Sequence, residues 1–188
     1  MSSDTIRTPE ARFAFAQVWK ENDKGKYRLA MIFDAEAQKT PAFKKLKKAA
    51  ADVVKEKWGD KPPAKLKNPF KTGDDLPVDD KTGERYAGFE DDSVVLINAV
   101  TTTKPEIVDN NVDPILDQKD FYSGCYGYAS IHAFTFDVDG SKGVSFGLNN
   151  IQKIRDGERL GGSFTTAKDD FEVVEAGAES DDDAEGIF

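Results

Sequence analysis

The chain has 188 residues, 38% of them hydrophobic and 32% charged, with 35 acids against 26 bases. That length supports one domain with a proper core, and no run approaches the roughly 18 apolar residues of a membrane span. Cys125 is the only cysteine, which excludes an internal disulfide and agrees with a reducing cytoplasm. The opening residues lack a basic segment followed by an apolar run, so no secretory signal is expected.

The charge is unevenly placed. Nine acids and no Lys or Arg lie in residues 169–188, and the remaining 26 acids balance the 26 bases. The whole net charge of −9 therefore sits in the last twenty residues. Such an apolar-poor, acidic segment cannot bury enough surface to offset its ordering entropy and is expected to be a disordered interaction tail. It ends on Ile187 and Phe188, two hydrophobes that a purely solubilising tail does not need. Residues 39–71 carry eleven lysines against Asp52, Glu56 and Asp60. A basic body segment on an acidic-ended chain can bind phosphate while the tail competes for the same surface.

In chain order, residues 11–19 predict a strand and residues 25–34 a second, joined by a polar hairpin link. In the second, Tyr27, Leu29, Met31 and Phe33 alternate with Arg28, Ala30 and Ile32. A helix follows, with Thr40 as cap, Pro41 at its first position and Gly59 at its stop. Phe43, Leu46, Ala50, Val53, Val54 and Trp58 form its apolar face, and Lys44, Lys48 and Lys55 share a stripe elsewhere. Residues 64–92 read as a long loop rich in Pro, Gly and Asp, of the kind that is usually functional or mobile. Strands are expected at 93–103, at 121–138 and, after the Asp139-Gly140 turn, at 143–155. Five strands, one internal helix and long connections suit a mainly β fold, with the strands closed into a small barrel that removes exposed edges.

No catalytic frame emerges. His132 and Cys125 are an odd number of positions apart and fall on opposite faces of a strand, which argues against a Cys–His pair or a shared metal. Phosphate-loop and dinucleotide glycine motifs are absent. Asp137-Val138-Asp139-Gly140 lacks the acid that a calcium loop needs at its twelfth position, Leu148, and reads as a hairpin turn. No catalytic residue, metal ligand or cofactor is assigned. A nuclease built from dispersed acids such as Asp91, Asp92 or Asp109 stays open as an alternative, as does an adaptor that binds only proteins.

The aromatic residues are more informative. On the strand at 121–138, even positions put Tyr122, Tyr126, Tyr128, His132, Phe134 and Phe136 on one side. Such a face can stack unpaired bases, at about 1–3 kcal/mol per base. Gly124 and Gly127 would admit a sugar-phosphate backbone closely. Phe134 and Phe136 are assigned to the core, Tyr126 and Tyr128 to the surface, because buried hydroxyls need partners. Lys153, Arg155 and Arg159 on and beyond the partner strand are candidates for phosphate contact. Trp19, Lys20, Tyr27 and Arg28 form a similar mixed group on the first hairpin.

The run Phe121-Tyr122-Ser123-Gly124-Cys125-Tyr126, the segment from Lys142 through Asn149-Asn150-Ile151-Gln152-Lys153 to Asp156-Gly157, and Gly161-Gly162 resemble a tailed-phage family of single-stranded DNA-binding proteins. The likeness extends to the opening strands, to Asn68-Pro69-Phe70 and to the acidic end. It implies an OB-type five-stranded barrel over residues 1–174 and an acidic interaction tail over residues 175–188. It implies a protein without catalysis that coats single-stranded DNA during phage replication or recombination in the cytoplasm of a bacterial host. In that reading Asp181, Asp182, Asp183, Glu185, Ile187 and Phe188 recruit phage or host replication proteins and compete with DNA. A homodimer is left open.

Overall fold

The computed structural model describes residues 4–161. The tail residues Asp181, Asp182, Asp183, Glu185, Ile187 and Phe188, and the boundary expected after residue 174, lie outside the described residues.

Strands β1 (Ile6–Arg7), β2 (Ala11–Gln17) and β3 (Tyr27–Phe33) are followed by helices α1 (Ala35–Gln38) and α2 (Pro41–Trp58). After a long connection come β4 (Val95–Thr101), β5 (Glu106–Val108), β6 (Tyr126–Val138) and β7 (Ser141–Arg155). Five of these strands close a ring: β2 pairs with β3, β3 with β4, β4 with β7, β7 with β6, and β6 with β2. All pairings in the ring are antiparallel except β4 with β7, which is parallel. This is the mainly β, five-stranded barrel expected from the sequence. The short strands β1 and β5 were not anticipated. They lie along β6 and β7, which at 13 and 15 residues are long enough to hold two neighbours on one edge.

Phe13, Leu29, Met31, Ile97, Ile131 and Phe146 fill the barrel, all at or near zero exposure. Helix α2 closes one end. Thr40 accepts a hydrogen bond from the Phe43 amide, Pro41 opens the first turn, and Gly59 stops the helix at φ 63°. Its Phe43 ring packs edge-on against Phe33, and Phe70 bridges from Phe43 to Phe146. Truncating a ring so placed costs about 3–5 kcal/mol. Lys44, Lys48 and Lys55 point to solvent, and Lys48 pairs with Asp52 at 2.6 Å.

The connection between α2 and β4 is a structural cover. Leu76, Phe89 and Val94 lie over Ala14, Ala30, Ile32 and Leu96, making a second buried cluster on the outside of the barrel. For this reason β3 is buried from Leu29 to Phe33 rather than on alternate residues. The β6–β7 turn at Asp139-Gly140 has both residues at positive φ, 50° and 77°, as a two-residue hairpin requires.

Candidate functional site

Strand β6 keeps strict alternation. Ala129, Ile131 and Ala133 face the barrel interior, while Tyr126, Tyr128, His132, Phe134 and Phe136 are half-buried on the outside. Phe134 and Phe136 therefore join the outer face and not the core, a correction to the sequence reading. The reason is that small Gly and Ala residues at the odd positions already meet the tightly packed interior, so the larger rings remain outside.

The irregularities fall on β7 instead. Gly127 pairs with Lys153 but Tyr126 pairs with Arg155, leaving Ile154 as an extra residue. Paired residues share a face. The bulge thus sends Lys153 to the inner side at the barrel mouth and Arg155 to the outer side, although simple alternation puts both on one face.

On the outer face the cations lie against tyrosine rings. The Arg155 guanidinium is 3.8 Å from the centre of the Tyr126 ring, and Arg12 is 5.6 Å from it. Arg7 lies 4.9 Å from the Tyr128 ring. Each contact of this kind contributes about 0.5–1 kcal/mol at an exposed site. Glu10 accepts from Arg155 Nε at 2.8 Å, and Arg12 donates to the Glu158 carbonyl at 2.8 Å. Arg7 and Arg12 escaped the sequence reading. Arg7 sits in a strand of two residues, too short to show a period. Arg12 could have been found from the inward positions of Ala11 and Phe13 on either side.

A second group surrounds Tyr122 at the barrel mouth. Arg159 lies 4.1 Å and Lys153 5.3 Å from its ring centre. The Tyr122 hydroxyl donates to Asp156 at 2.8 Å, and Lys153 pairs with the same carboxylate at 2.6 Å. Lys153 and the Tyr122 hydroxyl hold the Asp156 carboxyl below the usual carboxylate range. Burial, and then Asp156, push the Tyr122 phenol up. Lys153 also donates to the Asp120 carbonyl, and its side chain is only 15% exposed, so it chiefly braces this group. Tyr122, Arg159, Trp19 and Lys20 line one cleft of about 560 Å³ together with Phe121 and Lys119. The Trp19 indole donates to the Phe121 carbonyl at 3.2 Å, and Lys104 lies 5.9 Å from its ring.

Eight of the ten body residues singled out from the sequence thus fall into two adjoining groups. Tyr27 and Arg28 stand apart on β3, which β2 separates from β6. Tyr27 is half-buried opposite Thr101, and Arg28 is exposed opposite Gln17 and Val100. The close approach expected at Gly124 and Gly127 is made by the chain itself. A Cβ on Gly124 would lie 2.0 Å from the Glu158 carbonyl oxygen, and one on Gly127 2.0 Å from that of Gln152.

Cys125 is fully buried, its thiol donating to the Tyr122 carbonyl, and burial pushes that thiol up. His132 lies on the opposite face, 2.8 Å from Asn149. Asp91 accepts from the Ser93 amide, Asp92 pairs with Arg85, and Asp109 accepts from the Asn111 and Asp113 amides. Among the described residues no group of three His, Cys, Asp or Glu side chains could hold a metal ion. The arrangement offers flat rings flanked by cations, a surface for aromatic, anionic ligands.

A family model described as the ssDNA-binding protein of Enterobacter phage Enc34 matches residues 4–185. A protein designated p50, from Acyrthosiphon pisum secondary endosymbiont phage 1, is 25% identical over 181 residues, covering 94% of this chain and 97% of that one. Among solved structures, the single-stranded DNA-binding protein from bacteriophage Enc34 in complex with ssDNA matches with a TM-score of 0.65 at 17% identity, over 84% of this chain and 89% of that one. The single-stranded DNA-binding protein gp2.5 encoded by bacteriophage T7 matches with a TM-score of 0.52 at 12% identity, over 94% and 98% of the two chains. At such identities the structural likenesses establish the fold.

Proposed function

The chain belongs to the Enc34 phage family of single-stranded DNA-binding proteins, which are not enzymes, and from that premise we propose that it binds single-stranded DNA with little regard to sequence. Unpaired bases stack on Tyr126, Tyr128 and Tyr122, and the cleft beside Trp19 and Lys20 takes a further base. Arg7, Arg12, Arg155 and Arg159 follow the phosphates. Tyr27 and Arg28 flank this track, and Lys153 holds Tyr122 in place. The carrying observation is the convergence of arginines from three different strands and the segment beyond β7 on three tyrosines, Tyr126 and Tyr128 on the outer face of β6 and Tyr122 ahead of that strand.

The protein coats single strands in phage replication or recombination, in the cytoplasm of the bacterial host. Its acidic end, from Asp181 to Phe188, recruits replication proteins and competes with DNA for the basic face. Support for that role comes from the placement of the net charge entirely in the last twenty residues of an otherwise balanced chain.

Fluorescence anisotropy with labelled single- and double-stranded oligonucleotides at two salt concentrations tests this reading. Single-strand-selective binding that weakens steeply with salt is expected from counterion release. A chain ending at Val174 should bind more tightly than the full chain. Absence of binding by both chains would overturn the proposal.

A further inference from the structure

Regular alternation along β2 places Ala11 and Phe13 inside the barrel and would place Phe15 there too. It is not there. The β2–β3 ladder is broken between Ala14 and Gln17, and within the break Phe15 has φ 43°. Bulky L-residues rarely adopt that conformation. Its effect is to turn an aromatic ring out of the core and onto the outer surface, where 51% of it is exposed.

The ring is not isolated outside. It stacks on Phe89 with centroids 5.9 Å apart and planes 16° from parallel, and it meets Tyr86 edge-on at 5.6 Å and 88°. Tyr86 is itself 40% exposed. Two rings at right angles form a step with an open flat face, supported from beneath by a fully buried phenylalanine. Arg28 stands on the same outer side of β3, opposite Gln17 just past the bulge. A backbone conformation held against its intrinsic preference tends to mark a functional position.

The step adjoins, through Phe89, a cleft that also touches the tyrosine face. This cleft of about 570 Å³ joins Tyr126, Arg12 and Arg155 to Ile32, Val94 and Gly88, the last being the neighbour of Phe89, and the carboxylates of Glu10, Asp34 and Glu36 line it as well. Phe15 and Tyr86 do not line this cleft themselves; they lie beyond its Gly88 end, against Phe89.

We propose that Phe15, with Tyr86 as its side wall, is a further stacking site for an unpaired nucleobase, its phosphate facing Arg28. This rests on the single-strand-binding reading above and extends the track across β2 to β3. A ring serving only as a lid over Phe89 would need to be apolar, whereas a stacking site needs a flat π-face. The two roles separate by substitution.

The test measures affinity of the full chain for thymidine oligonucleotides of about 4 to 16 nucleotides, for the wild type, Phe15→Leu and Phe15→Trp, with melting temperatures alongside. Phe15→Leu should weaken binding of the longer oligonucleotides about tenfold, leave the shortest unchanged and leave the melting temperature in place. Phe15→Trp should bind as the wild type does. Wild-type affinity of Phe15→Leu at every length would overturn the site. So would an equal loss at all lengths accompanied by a lowered melting temperature, which marks a structural lid. A wild type that binds no oligonucleotide of any length would instead overturn the reading on which the site rests.

Discussion

Arg155 and Glu10 are joined at 2.8 Å while the same guanidinium lies 3.8 Å from the centre of the Tyr126 ring. One cation is thus held between a carboxylate and a π-face. The carboxylate fixes the guanidinium over the ring, and in the proposed binding mode it occupies a donor that a phosphate would take. Glu10→Gln should therefore tighten single-stranded DNA binding several-fold, with a steeper salt dependence. Arg155→Gln should weaken it and lower the slope of log affinity against log salt by about 0.7, the share of one phosphate contact on a single strand. Anisotropy titrations at four salt concentrations check both, and a Glu10→Gln protein that binds more weakly would mean the ion pair serves DNA rather than opposing it.

In the proposed binding mode Tyr126 and Tyr128 contribute through their rings. Tyr126→Leu should reduce affinity about tenfold, within the usual 1–3 kcal/mol for a stacked base. Its salt slope should stay near that of the wild type, unlike that of Arg155→Gln. Tyr126→Phe should bind almost normally. A large loss in Tyr126→Phe would assign the role to the hydroxyl and contradict stacking.

Much of this architecture was legible in the sequence because it rests on local rules. Thr40, Pro41 and Gly59 bound α2 as expected, since caps act over one turn of chain. The outward side of β6 followed from alternation alone, since its bulges lie on β7. What escaped depends on partners far along the chain. The bulge at Ile154 separates Lys153 from Arg155, and the cover of Phe89 over Ile32 buries both sides of β3. Arg7 reaches Tyr128 only because β1 pairs with β6, more than a hundred residues later. Alternation within a strand carries no trace of such pairings.

The Asp156 cluster gives stability a pH dependence with two limbs. Lys153 and the Tyr122 hydroxyl depress the Asp156 carboxyl in the folded protein. Its contribution is present above the unfolded value of about 3.9 and is lost as pH falls through the lower folded value. Tyr122 is shifted up, by burial first and Asp156 next, so its contribution holds below about pH 10 and is lost as pH rises through the folded value. Asp156 is largely exposed, and its pair contributes no more than about 1 kcal/mol. Urea midpoints of wild type and Asp156→Asn should differ by a constant amount near neutrality. That gap should close below about pH 4. A gap that persists in acid would show that the carboxylate's charge is not what Asp156 contributes.

Gly124 and Gly157 let two segments of backbone lie against each other at the site. Gly124 has φ 116°, and a Cβ there would meet the Glu158 carbonyl oxygen at 2.0 Å. One on Gly157 would meet the Gly124 carbonyl oxygen at 2.1 Å and the Tyr126 ring at 2.7 Å. This contact presses the segment beyond β7 onto the loop before β6. It brings Glu158 to Arg12, Asp156 to Tyr122, and Leu160 to the Ser123 carbonyl. Gly124→Ala should destabilise the fold by about 2–4 kcal/mol, since strain and backbone overlap act together. Gly140→Ala is the control. It too has positive φ, but nothing lies within 4 Å of its missing Cβ, so its cost should stay near 1 kcal/mol. Where Gly124→Ala still folds, Arg159 and Tyr122 should lose register and single-stranded DNA binding should fall more than it does in Gly140→Ala. Urea denaturation and anisotropy on the same three proteins decide this. Equal stability losses in the two variants would mean that the packing of Gly124 against Glu158 is not what holds the two halves of the site together.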